Sequence, residues 1–185
     1  MGRIIYSAIA SADGYTADAS GSFEWAFPGL EVHAFVNDLE RSVGTYLYGR
    51  RMYETMHVWQ NLPEGPDDPA VEAEYAEIWR GADKVVYSTT LADVWTPRTR
   101  ILRRFEPDEV RTLAASSDRD VSVGGPTLAA EAFRAGLVDE VQLFLVPISV
   151  GGGTPAFPRD HVVSLELLDE KRFESGAVFL RYRVG

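Results

Sequence analysis

The sequence contains no cysteine. That excludes a disulfide framework and thiolate zinc sites, and it leads to the expectation of a cytoplasmic setting. No signal-like or membrane-length apolar run is present, so neither membrane insertion nor a membrane partner is expected. Basic residues are few: 18 Lys and Arg stand against 28 Asp and Glu, for a formal net charge of −10. Binding to a nucleic-acid backbone depends on clustered Lys and Arg that release counterions, so a general nucleic-acid binder is excluded. Any anionic ligand therefore needs a local basic pocket. The only histidines are His33, His57 and His161. They lack the i, i+4 pairing of helical metal sites, so no metal centre is expected, and His57 alone is a candidate for lining a groove. No G-x-S-x-G elbow is present, which removes that serine-hydrolase class. No G-x-G-x-x-G follows the first apolar segment either, so an ordinary dinucleotide fold is excluded by motif.

What is there reads as one ordinary globular domain over residues 1–185, with 45% hydrophobic and 25% charged residues. Residues 3–10 form a short apolar run ending at the turn signal Asp13-Gly14, which predicts a buried opening strand. Residues 11–27 mix Gly, Ser and Asp with Tyr15, Phe23, Trp25 and Phe27. A loop so rich in aromatics does more than connect. Apolar residues at Val32, Val36, Leu39 and Val43 predict a helix over 30–43, followed by a strand over 45–48. Helices are expected from Gly49, over 71–79, from Pro107, and from Pro126 to Gly136. Strands are expected at 84–87, 99–103, 120–123 and 141–146, with an antiparallel hairpin formed by 165–173 and 178–184. Residues 62–69, with three prolines, read as an exposed loop. Alternating strands and helices followed by strands alone predict an α/β fold: a central, mostly parallel mixed sheet, a C-terminal antiparallel hairpin, and helices on both faces.

Three segments carry groups suited to phosphate. Gly124-Gly125-Pro126-Thr127 turns a strand into a helix, where glycines admit close backbone approach and a helix N-terminus supplies partial positive charge. Gly49-Arg50-Arg51 repeats the strand-to-helix turn with two guanidinium groups able to hold phosphate through paired hydrogen bonds. Ser88 and Thr89 follow another strand, where ligands of open α/β sheets commonly bind. Each alone also fits plain turn or capping chemistry. Three in so acidic a chain point to a cofactor with several phosphates, and hence to a dinucleotide.

Four segments together give the sequence a resemblance to the dihydrofolate-reductase-like family that includes the reductase domain at the C-terminus of RibD, of riboflavin biosynthesis. They are Ser11-Ala12-Asp13-Gly14-Tyr15, residues 47–54 around Gly49-Arg50-Arg51, residues 123–128 around Gly124-Gly125, and Leu137-Val138-Asp139-Glu140 leading to Val146-Pro147-Ile148. The resemblance implies an eight-stranded mixed sheet with NADPH across its strand ends, and hydride transfer to a heterocyclic or ribosylaminopyrimidine-like small molecule. It further implies that Gly49, Arg50 and Arg51 meet the adenosine phosphates, that Ser88 and Thr89 border the 2′-phosphate, and that Gly124, Gly125, Pro126 and Thr127 meet the pyrophosphate. Ala8, Thr16 and Ala17 would border the nicotinamide. Many relatives have Thr where this chain has Met52, so one hydroxyl contact is missing. A homodimer paired through the last strands is also implied.

The catalytic groups are not assigned by the sequence. Classical dihydrofolate reductases carry a pterin-binding acid soon after a tryptophan that Trp25 resembles. Glu31 and Asp38 are the nearest acids on the first helix, and an acid on a surface helix is ordinarily solvated. True folate reduction is therefore disfavoured. Trp25 is the candidate for covering a bound substrate ring. Asp13, followed by Gly14, reads as a turn residue that fixes the loop. The alternatives to a reductase are a protein that binds a nicotinamide, flavin or pterin ring without turnover, and a structural domain that lost its ligand.

Overall fold

The computed structural model describes residues 1–27, 29–62 and 69–185. Most of the proline-rich loop expected at 62–69 thus lies outside the described residues. The strands are β1 (Ile4–Ser11), β2 (Tyr15–Ala17), β3 (Val43–Gly49), β4 (Asp83–Tyr87), β5 (Thr99–Leu102), β6 (Asp120–Gly124), β7 (Glu140–Val146), β8 (Thr154–Pro155), β9 (Leu165–Arg172) and β10 (Val178–Val184). The helices are α1 (Leu30–Glu40), α2 (Arg50–Met56), α3 (Ala70–Gly81), α4 (Pro107–Ala115) and α5 (Pro126–Arg134). Among the described residues no helix is long and apolar enough to cross a membrane.

Eight strands form one sheet in the order β5-β4-β3-β6-β1-β7-β10-β9. From β5 to β7 the strands run parallel, and β10 is antiparallel to both neighbours. This is the expected α/β fold with its C-terminal hairpin. The central strand β6 is buried at every position, as a parallel strand covered on both faces must be. One face packs Tyr6, Val121, Val123 and Val141 with Val110 of α4 and Leu128, Ala132 and Phe133 of α5. On the other face Phe35 of α1 meets Phe144 and Phe179 edge-on, at 6.2 and 4.9 Å between ring centroids. The same face buries Tyr46, Tyr48, Tyr53, Tyr75 and Trp79 beneath α2 and α3.

The helix expected over 30–43 stops at Glu40, and Val43 instead opens β3. Its side chain fits either period, and pairing of Val43 with Asp120 settles the strand. A second sheet of two strands, β2 and β8, was not expected. It pairs segments of 2–3 residues separated by more than a hundred positions, too short for any periodic signal.

Candidate functional site

Register along the sheet places the three phosphate-suited segments side by side. Tyr48 of β3 lies opposite Gly124 of β6, and Gly49 lies opposite Tyr87 of β4. Neighbouring strands stand about 4.8 Å apart, so Gly49-Arg50, Gly124-Gly125 and Ser88-Thr89 share one edge of the sheet. The glycines there differ in kind. A Cβ on Gly124 would stand 2.5 Å from Cε1 of Tyr48, and Gly125, the N-cap residue just before α5, has φ +90°. Both are required by the protein's own packing and backbone. Gly49 has an ordinary φ of −75°, and a Cβ there would meet nothing within 4 Å. Nothing inside the chain demands glycine at 49, whereas a ligand lying against the backbone would.

Neither Gly49 nor Gly125 carries a side-chain cap, so the first N–H groups of α5 have no side-chain acceptor. Pro126 takes the first helical position, and the Thr127 side chain is exposed. Arg50 and Arg51 are both exposed. Arg50 donates from Nε to Glu54 Oε1 at 2.6 Å and from Nη1 to Thr90 Oγ1 at 3.0 Å, while Arg51 makes no ion pair among the described residues. Met52, in place of the expected threonine, packs its Cβ and Cγ against Gly124 and Gly125 and so closes the seam between α2 and α5. Ser88 is buried, and its Oγ accepts the N–H groups of Thr90 and Leu91 at 3.2 and 2.9 Å. Its first duty is thus to shape the loop after β4. Thr89 is exposed within that loop. Arg103, which the sequence reading missed, donates from Nη1 to the carbonyls of Ser88 and Leu91.

β1 outruns β6. It pairs with β6 only over Ile4–Ser7 but with β7 as far as Ser11. From Ala8 onward one side of β1 therefore has no strand neighbour. The Ala8 side chain packs into the core on the α5 face, so what Ala8 leaves on that open side is backbone. Thr16 and Ala17 sit on β2 just beyond, with Thr16 Oγ1 donating to Thr154 O at 3.2 Å. Asp13 clasps this loop to the segment after β7. Its carboxylate accepts from Ser149 Oγ at 3.0 Å, Val150 N at 3.1 Å and Gly151 N at 2.7 Å. Hydrogen bonding, led by the Ser11 hydroxyl, holds its carboxyl well below the usual carboxylate range. The turn role read for Asp13 is the one its contacts describe.

The substrate candidates are placed less directly. Trp25 is half-buried, packs against the cluster of Val32, Phe144 and Phe179, and donates from Nε1 to Ser22 O at 3.2 Å. It also lines a shallow cavity with Phe27, Pro147, Ile148 and Ser175. Glu31 is engaged by the backbone N–H of Glu174 at 3.1 Å, and Asp38 is exposed. His57 contacts Glu54 O at 2.7 Å and packs against Trp95, and His33 packs between Trp59 and Tyr75, where burial lowers its basicity. His161 is exposed, and among the described residues no three His, Cys, Asp or Glu are grouped to hold a metal ion.

Comparison with known proteins agrees with this fold. The uncharacterized protein YyaP of Bacillus subtilis is 28% identical over 185 residues, covering 97% of this chain and 94% of that protein. The solved deaminase/5-amino-6-(5-phosphoribosylamino)uracil reductase of Thermotoga maritima has the same fold, with a TM-score of 0.68 at 14% identity. All of this chain matches 57% of that one. Dihydrofolate reductase from Enterococcus faecalis, solved with NADP(H), gives a TM-score of 0.63 at 14% identity, covering all of this chain and 97% of that chain. The model of the RibD C-terminal domain matches residues 3–179. With the glycine turns after β3 and β6 lying on one sheet edge and that match over nearly its whole length, the chain belongs to the RibD C-terminal domain family.

Proposed function

We propose that this protein is an NADPH-dependent oxidoreductase that reduces a small heterocyclic or ribosylaminopyrimidine-like substrate. The observation that carries the reading is Gly49: it is free of internal steric or backbone need, yet stands beside Gly124-Gly125 and next to Arg50 and Arg51. Those residues fit a dinucleotide, since they offer unhindered backbone, uncapped helix N–H groups and guanidinium charge in an otherwise acidic chain. Arg50 and Arg51 would neutralise the adenosine phosphates. Gly124, Gly125 and the first amides of α5, with Thr127, would receive the pyrophosphate, and Ser88 and Thr89 would border the 2′-phosphate.

When bound, the cofactor supplies the hydride. The chain's part is to position and to exclude water. The unpaired edge of β1 from Ala8 offers backbone N–H and C=O groups that would orient a planar carboxamide. Thr16 and Ala17 would border the ring. The Asp13 clasp fixes the loop after β1 to the segment after β7, and Trp25 braces the far end of that loop. The absence of cysteine supports a cytoplasmic setting.

A homodimer is part of the reading. β9 is an edge strand exposed at every position, with Leu165, Leu167 and Leu168 at 38%, 50% and 37% exposure. The exposed leucines at the start of this open edge, ahead of the charged run 169–172, favour pairing with another strand, and a monomeric mass by light scattering would count against it. The enzymatic reading is tested by following NADPH absorbance with a panel of heterocycles and phosphoribosylaminopyrimidines. Consumption with one of them supports the reductase. Tight NADPH binding without turnover on the whole panel identifies a cofactor-binding protein instead.

A further inference from the structure

Charge is distributed unevenly along the sheet edge that carries the strand ends. Arg50 and Arg51 start α2 just after β3, whereas residues 4–40, 140–158 and 173–180 contain no Lys or Arg. Those three segments build the other end of the edge: β1 with its following loop and α1, β7 with its following loop, and the turn between β9 and β10. There Ala12 N donates to Ile148 O at 2.7 Å, and Trp25, Phe27, Pro147, Ile148 and Ser175 line the shallow cavity. Its surroundings are apolar and acidic. Phe23, Phe27, Leu30 and Ile148 are left exposed. Glu24 is next to Trp25, Glu174 is next to Ser175, and Glu31 Oε2 accepts the Glu174 N–H at 3.1 Å. Lys171 and Arg159 stand over aromatic rings instead, Nζ at 4.6 Å from the centre of Phe35 and Cζ at 5.9 Å from that of Tyr15. Arg172, next along β9, faces the opposite side of the sheet from Lys171. Arg50 and Arg51 belong to the far end, since three strand spacings from β3 to β7 make about 14 Å, beyond the screening length of about 8 Å at physiological salt.

We propose that the β1–β7 end of the sheet takes a planar heterocycle bearing no phosphate, and that the protein discriminates against phosphoribosyl forms of the same ring. The inference rests on the reading that a nicotinamide lies beside Ala8. Val146, which lines the cavity, pairs with Ser11, three residues and about 10 Å along the strand from Ala8. The far end of a substrate that meets the nicotinamide therefore extends toward the cavity. A phosphate dianion there would exchange its water for carboxylates of its own sign, with no Lys or Arg to pair with it. A neutral or protonated ring escapes that cost and gains aromatic contact with Trp25 and Phe27. The charge pattern thus sorts the ligands: phosphates toward the turns after β3 and β6, an unphosphorylated ring toward β1 and β7.

The test uses 5-amino-6-ribosylaminouracil and its 5′-phosphate, a pair that differs only in the phosphate. Titration calorimetry measures the binding of each to NADP+-saturated protein, which has no hydride to give. The unphosphorylated member should bind at least about tenfold more tightly. Ser175→Arg places a guanidinium at the cavity from an exposed turn position, and it should tighten binding of the phosphate by about five- to tenfold while moving the other member by no more than about twofold. Equal or tighter binding of the phosphate by the parent overturns the proposal and leaves the nicotinamide reading intact, and so does a parent that binds neither member. An unchanged ratio in Ser175→Arg overturns it as well. Failure of the parent to bind NADP+ in its own titration removes the reading on which the proposal rests. Should Ser175→Arg not fold, Ile148→Lys makes the same comparison from the other wall of the cavity.

Discussion

Replacing Gly49 and Gly124 by alanine, one at a time, separates a glycine kept for a ligand from a glycine kept for the fold. At 49 the new Cβ meets nothing within 4 Å, and the φ of −75° suits any residue. Alanine loses less chain entropy on folding, by about 0.4–1 kcal/mol, but is the poorer residue at a helix cap by a similar amount. The two effects offset, so Gly49→Ala should leave unfolding free energy within about 0.5 kcal/mol of the parent. At 124 the Cβ would stand 2.5 and 2.7 Å from Cε1 and Cδ1 of Tyr48. Tyr48 is fully buried, stacked on Tyr46 at 5.5 Å, and accepts a hydrogen bond from Trp79 Nε1 at 3.2 Å, so it has little room to yield. Overpacking of this kind costs about 1–3 kcal/mol. Urea denaturation without ligand measures both stabilities, and NADPH titration measures what each change does to binding. The expected pattern is a stable Gly49→Ala that binds at least about tenfold more weakly, a loss of about 1.4 kcal/mol. Binding by Gly49→Ala at parental strength, or destabilisation as large as that of Gly124→Ala, would refute the distinction.

Three further outcomes follow from the site and its supports. Asp13→Ala removes the acceptor of Ser149, Val150 and Gly151, so residues 11–27 should become faster to exchange amide protons and to be cut by protease. Because the Asp13 carboxyl sits below the usual carboxylate range, the parent clasp should hold through mildly acidic pH and fail only as pH falls through that lowered value. Glu40 is buried next to Tyr46, its Oε2 has no hydrogen-bond partner, and burial pushes its carboxyl from an ordinary 4.5 up to about 7. The folded state thus holds a proton that the unfolded chain has already released. Stability should fall as pH rises between 4.5 and about 7, by about 3 kcal/mol in total, and then level off. In Glu40→Gln that slope should vanish; a slope equal to the parent's in denaturation at pH 5 to 8 would assign it to other groups. Trp25→Ala should cost about 2–4 kcal/mol of stability through lost packing against Val32 and Phe144, read by thermal unfolding.

The fold was legible wherever one segment's own periodicity decided its structure. Apolar runs made residues 3–10 and 141–146 read as strands, and they form β1 and β7 within a residue at each end, while α5 was marked at both ends by Pro126 and Gly136. Long-range effects were not legible. The β2–β8 pair brings Gly153 so close to Ala17 O that any Cβ there would clash, which no local pattern announces. In the site, the glycine turns and Arg50-Arg51 were visible because residue type and order carry the chemistry. Arg103 was not, because its partners are carbonyls 12 and 15 positions away, across a loop. Ser88 was read for its hydroxyl alone, whereas the structure spends that oxygen on capping its own loop. Glu40 lies at the end of an amphipathic helix, where an acid ordinarily meets water, and its burial beside Tyr46 of β3 and Tyr75 of α3 is decided by tertiary packing.

The central claim, a nicotinamide dinucleotide across the ends of β3, β6 and β4, is most directly tested by isothermal titration of the purified protein with NADPH and NADH, alongside Arg51→Ala and Gly49→Ala. Micromolar NADPH binding that both substitutions weaken is the predicted result. Absence of binding by either nucleotide to a folded parent protein would contradict the account and leave the fold without the function assigned to it.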